Sequence, residues 1–165
     1  MRITLPSGTS AEIVHHESPV MGLVVAPDIF GLRPLYDDLV ARFSREWGMS
    51  VVAVEPFPGA ELGPDIDPRF AAVPALDDAK NLSDLLEAAD ALGTETVGLI
   101  GFCMGGMYCF KAARDERFAR IVSFYGMITL PEAWRSPTQG EPLGMLISGY
   151  AEGVLALVGE KDHYT

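Results

Sequence analysis

The feature that most limits the fold is an alternation. Short apolar runs, "VMGLVVAP" (20–27), "MSVVAVEP" (49–56), "TVGLIGF" (96–102), "ARIVSFYG" (119–126) and "GVLALVGEKD" (153–162), are separated by stretches of helical spacing. Runs this continuously apolar suit strands covered on both faces. Strand, helix, strand, helix predicts an α/β fold with a mostly parallel sheet and helices on both sides. Residues 2–5 and 11–16 read as an opening hairpin around "PSGTS". In "RPLYDDLVARFSREWG", Leu35, Leu39, Val40, Phe43 and Trp47 share one helical face, with Pro34 in the first turn and Gly48 as the C-cap. "ALDDAKNLSDLLEAADALG" repeats that pattern through Leu82, Leu85, Leu86, Ala89 and Leu92, "MGGMYCFKAAR" reads as a further helix, and another is expected near 140–150. The Pro/Gly-rich "PFPGAELGPDIDP" reads as an irregular loop. The last run, from 153, reads as one more buried strand.

Composition mainly excludes. The 165 residues fit one domain. A net charge of −11 argues against nucleic acid and anionic membrane surfaces as partners. The longest uncharged stretch, residues 96–110, is 15 residues with four glycines, too short and too broken to span a membrane. No apolar leader opens "MRITLPSG", so a cytoplasmic location is expected. Cys103 and Cys109 are poorly placed to pair, and no cluster has metal-ligand spacing, so neither a metal nor a cofactor is expected.

In such sheets functional groups gather at the carboxyl ends of the strands. Three loops stand out there: "APDIFG", "GFCMGG" and "GEKDHYT". G-x-C-x-G-G after a strand is the sulfur form of a nucleophile elbow, with Gly101 and Gly105 giving clearance for the strand-to-helix turn. The turn would set Cys103 at a helix N-terminus, where amides favour thiolate, with the Met104 amide aimed at a developing oxyanion. A phosphate cradle and a buried structural thiol are the competing readings. Ile29 is the expected second oxyanion amide. Asp28 would bring a carboxylate near the thiol, or would simply cap the following helix. Asp162, just past a late strand, has the place of a triad acid, the alternative being a plain turn aspartate.

At these loops the sequence resembles the dienelactone hydrolase (carboxymethylenebutenolidase) family of α/β-hydrolases, through "PDIFG" (27–31), "VGLIGFCMGG" (97–106), "FYG" (124–126) and "GEKDH" (159–163). The resemblance runs from about Val20 to the last residue. It implies an α/β-hydrolase fold, Cys103 as nucleophile, Asp162 as triad acid, and Ile29 and Met104 as oxyanion amides. It also implies that Asp28 replaces a longer, thiol-contacting glutamate, and it makes Arg69 a candidate for holding a substrate carboxylate. The expected substrate is a small ester or lactone. A non-catalytic binding or regulatory module on the same fold is the alternative.

The chain order should be nucleophile, acid, histidine. His15 and His16 lie in the opening hairpin, and His163 is next to Asp162, where consecutive side chains diverge. The expectation is therefore a C-terminally incomplete hydrolase with little activity of its own, open to self-association through a bared edge.

Overall fold

The computed structural model describes residues 1–162. Strands β1 (Arg2–Thr4) and β2 (Ser10–Val14) form the antiparallel hairpin. β3 (Gly22–Ala26), β4 (Ser50–Val54), β5 (Val97–Phe102), β6 (Phe118–Phe124) and β7 (Val154–Leu157) follow, joined by helical crossovers. The sheet order is β1-β2-β4-β3-β5-β6-β7, antiparallel across β1, β2 and β4 and parallel from β4 to β7. β3 and β4 are buried at every position, as their unbroken apolar runs require.

Alternation along the strands splits the core in two. Val24, Ala26, Val52 and Leu99 face one layer, containing α3 (Asp78–Ala91) and α4 (Met104–Ala112). Leu23, Val25, Val51 and Ile100 face the other, covered by α1 (Pro34–Trp47). Pro34 sits in the first turn of α1 and Gly48 caps it in the left-handed conformation at φ 65°. Of the expected face of α1, Val40 is buried and Leu39 and Phe43 pack against this core, but the two ends differ. Tyr36, Val40 and Ser44 are buried, whereas Leu35 and Trp47 are 47% and 46% exposed. Trp47 instead stacks on Phe43, with centroids 4.1 Å apart.

Two further expectations need correction. The Pro/Gly-rich segment is not irregular throughout, because α2 (Ile66–Ala72) begins inside it. β7 is not buried: it lies at the sheet edge, and Leu155 and Leu157 are exposed. The helix expected near 140–150 is α5 (Pro142–Ile147). Among the described residues, no helix is long and apolar enough to cross a membrane.

The α3–α4 layer also encloses charge. The Lys111 side chain is fully buried and donates to both oxygens of Asp78, at 2.8 and 3.0 Å. Asp78 additionally accepts the Gly140 amide at 2.7 Å. Burial depresses the Lys111 ammonium, and the Asp78 contact works against that. This pair ties the start of α3 to the helix that carries the elbow.

Candidate active site

Cys103 stands between β5 and α4 with φ 53° and ψ −116°, a conformation that costs a non-glycine residue energy. Backbone packing holds it there. The Cys103 amide donates to Phe124 O at 3.0 Å, and its carbonyl accepts from Met107 N at 3.0 Å. A Cβ on Gly105 would collide with the Ala26 and Pro27 carbonyls, and one on Gly101 with the Gly105 carbonyl and the Cys109 sulfur. Gly106 meets the backbone of Gly126 in the same way. Three glycines are thus required by close approach of β3, β5 and the β6 loop to α4.

The Met104 amide, at the first residue of α4, and the Ile29 amide, in the loop after β3, both act to lower the Cys103 thiol. Their pull is outweighed. Burial pushes the thiol up, the Met104 amide lowers it, and the nearby Asp28 charge raises it again, with smaller effects of Ile29 and Asp162. The amide at the helix end acts in the expected direction, and burial opposes it.

Asp28 is not a helix cap; the N-cap of α1 is Arg33. The Asp28 carboxylate accepts the Phe30 amide at 2.9 Å and both terminal nitrogens of Arg33 at 2.6 and 2.7 Å. The Asp28 amide donates to the Tyr36 hydroxyl at 2.8 Å, which is why Tyr36 rather than Leu35 faces inward. Asp162 borders the same cleft as Cys103 and Asp28, a space of about 530 Å³ whose other walls are apolar side chains and Tyr125. Asp28, Ile29, Cys103, Met104 and Asp162 thus converge on one sulfur. His15 and His16 do not. They follow β2, where Val14 pairs with Val51 at the amino end of β4, on the sheet edge opposite the elbow. His163 lies outside the described residues.

The sequence signature of the dienelactone hydrolase family matches residues 10–165. The chain belongs to this family. It is 28% identical over 151 residues to a probable 2-oxo-3-(5-oxofuran-2-ylidene)propanoate lactonase of a Bradyrhizobium species, an alignment covering 85% of this chain and 58% of that protein. It is 30% identical over 105 residues to carboxymethylenebutenolidase 2 of Cupriavidus pinatubonensis, covering 62% of this chain and 44% of that one. The chain therefore spans about half the length of these curated relatives. The crystal structure of a putative dienelactone hydrolase from Klebsiella pneumoniae shares its fold, with a TM-score of 0.80 at 23% identity over 99% of this chain and 73% of that one.

In this dienelactone hydrolase family member, two side chains hold the loop after β3. Glu55, at the end of β4, accepts the amides of Leu32 at 2.9 Å and Phe57 at 3.1 Å, and its carboxylate fills the space a Cβ on Gly31 would need. Arg69 on α2 donates to Ile29 O at 3.0 Å and twice to Gly63 O, at 3.1 and 2.8 Å. Its donors are spent on backbone carbonyls, and it does not line the cleft. Sequence reading missed Glu55 and Arg33. An acid directly after a buried strand was the available signal for Glu55, and an arginine five residues beyond Asp28 the signal for Arg33.

Proposed function

We propose that this chain carries the acyl-transfer half of an ester or lactone hydrolase, with Cys103 as nucleophile. The observation that carries the reading is Cys103 held at φ 53° where β5 turns into α4, in a cleft that Ile29 and Asp162 also line. Membership of a family that includes a lactonase and a carboxymethylenebutenolidase supports the bond class.

The Cys103 sulfur attacks the substrate carbonyl carbon, and the carbonyl π pair moves onto oxygen. The two amides stabilise that oxyanion in a partly buried setting, where fixed donors act strongly. A neutral resting thiol must lose its proton as it attacks, so a base is needed. We assign that role to a histidine other than His15, His16 and His163, oriented by Asp162. The C–O bond then breaks, the alkoxide takes the proton from the imidazolium, and a thioester remains. Water, deprotonated by the same histidine, attacks the thioester and expels the Cys103 sulfur.

The direct test is p-nitrophenolate release from p-nitrophenyl acetate, an activated ester that a thiolate attacks without a base, followed above pH 9 in the wild type and in Cys103→Ala. A stoichiometric burst lost in the variant is expected. An unchanged burst rules out Cys103. No burst from a folded wild type whose thiol still takes iodoacetamide favours the binding-module alternative.

A further inference from the structure

Resting on the acyl-transfer reading above, we infer that the Tyr125 hydroxyl donates a hydrogen bond to the leaving-group oxygen of the ester or lactone as its bond to the acyl carbon breaks. Position supplies the first observation. Cys103 follows β5, which lies between β3 and β6 in the sheet. Ile29 follows β3 and Tyr125 follows β6, so the two stand on opposite sides of the elbow. Tyr125 and Cys103 line the same cleft, close enough that charge on the sulfur raises the phenol. A tetrahedral carbon bonded to that sulfur, with its oxyanion turned toward Ile29, carries its leaving group away from the β3 side. On the β6 side it meets a hydroxyl.

Backbone strain supplies the second observation. Tyr125 has φ 40°, a conformation that a bulky side chain rarely adopts and that must be held by its surroundings. Its amide donates to Leu157 O at 2.7 Å, which ties it to β7. Next to it, Gly126 lies so near α4 that an added Cβ would collide with the Gly106 backbone. The segment is thus wedged between β7 and the helix that starts at the elbow. The ring leans on Phe102, with centroids 6.3 Å apart, yet Tyr125 stays 43% exposed toward solvent. Among the described side chains that line the cleft, Tyr125 carries the hydroxyl, and that hydroxyl bonds to none of the described residues. Burial keeps the phenol above its ordinary 10.0, so it remains a donor at moderately alkaline pH.

When the tetrahedral intermediate collapses, the oxyanion pair re-forms the carbonyl and the carbon–oxygen bond breaks. Its electron pair stays on the leaving oxygen, which accepts the Tyr125 O–H while the proton remains on tyrosine. A thioester is left on Cys103. Such a donor matters most when the leaving oxygen is a strong base, because its departure then limits the rate. A weakly basic p-nitrophenolate departs readily, and attack by sulfur limits instead.

The test compares acylation of Cys103 above pH 9 by phenyl acetate and by p-nitrophenyl acetate, which leave the same thioester and differ only in the departing oxygen. Added mass on the intact protein and release of the phenol are the readouts, and neither needs turnover. Tyr125→Phe should slow acylation by phenyl acetate roughly tenfold and acylation by p-nitrophenyl acetate less than about twofold. A merely structural role would slow both alike. Tyr125→Gly removes the hydroxyl and suits the left-handed φ, so it should shift the ratio of the two rates in the same direction without backbone strain. A ratio unchanged from the wild type in either variant overturns this inference and leaves the acyl-transfer reading standing. Failure of both esters to acylate a wild-type thiol that iodoacetamide still labels overturns both.

Discussion

The Arg33 guanidinium rests squarely on Asp28, Nη1 on Oδ1 at 2.6 Å and Nη2 on Oδ2 at 2.7 Å, beside the Cys103 thiol that the Asp28 charge raises. The two residues therefore act on the sulfur with opposite sign. Asp28→Asn removes the anion and can keep the turn bond to Phe30, so iodoacetamide labelling of Cys103 at fixed pH should quicken by roughly two- to tenfold. Arg33→Gln leaves the anion uncompensated and should slow labelling by a similar factor. Shifts in the same direction for both variants would contradict this account.

Burial dominates the thiol, so its pH profile is predicted. Labelling of Cys103 should keep rising with pH through the ordinary thiol value of 9.0, with no plateau near neutrality. Cys109 is fully buried and raised further by burial, and should not label in the native state. Folded thiols that hold their protons longer than unfolded ones also carry a sign for stability. Their contribution is complete below the unfolded thiol range and is lost as pH rises through the folded values. A labelling plateau below about pH 8 would mean that the amides win over burial.

The glycine at the start of α4 cannot accept a side chain, because the atoms in its way are the backbone carbonyls of Ala26 and Pro27. Gly105→Ala should cost about 3 kcal/mol in urea unfolding and shift α4 away from the oxyanion loop. Gly144→Ala is the contrast. Gly144 lies inside α5 with nothing within 4 Å of a Cβ, and its replacement should stabilise by about 0.5–1 kcal/mol. Equal costs at the two positions would mean that the elbow is not held by close approach.

What the sequence made legible was local. The elbow could be read from Gly101, Cys103 and Gly105 because the clearance it needs lies within a few residues of the turn. The mostly parallel sheet followed from runs that leave a strand no polar face. Val40, Leu39 and Phe43 of α1 face the core as expected, but Tyr36 was not counted among them, and its hydroxyl has a backbone amide 8 residues away to meet. The Lys111–Asp78 pair spans 33 residues, and nothing in either local pattern announces it. The amide that acts on the thiol could be read from the sequence, whereas the burial that opposes it could not. The apolar cleft was hidden for a related reason: its walls come from the loop after β3, from α2 and from the segment after β6, each unremarkable alone.

The buried pair gives a stability prediction with an internal control. Asp78→Ala strands a fully buried ammonium and should cost about 3–5 kcal/mol in urea unfolding. The double variant Asp78→Asn, Lys111→Met removes both charges at similar volume and should lose less than that single substitution. If the double variant is the less stable of the two, the cost does not come from the stranded charge.

The central claim is that Cys103 becomes acylated while Ile29 and Met104 hold the oxyanion. The most direct measurement is peptide mapping of the protein quenched in acid during reaction with p-nitrophenyl phenylacetate. The account predicts one phenylacetyl group on Cys103, as a thioester that hydroxylamine removes. Acyl groups found on lysines or serines instead, with the Cys103 peptide unmodified, would contradict it.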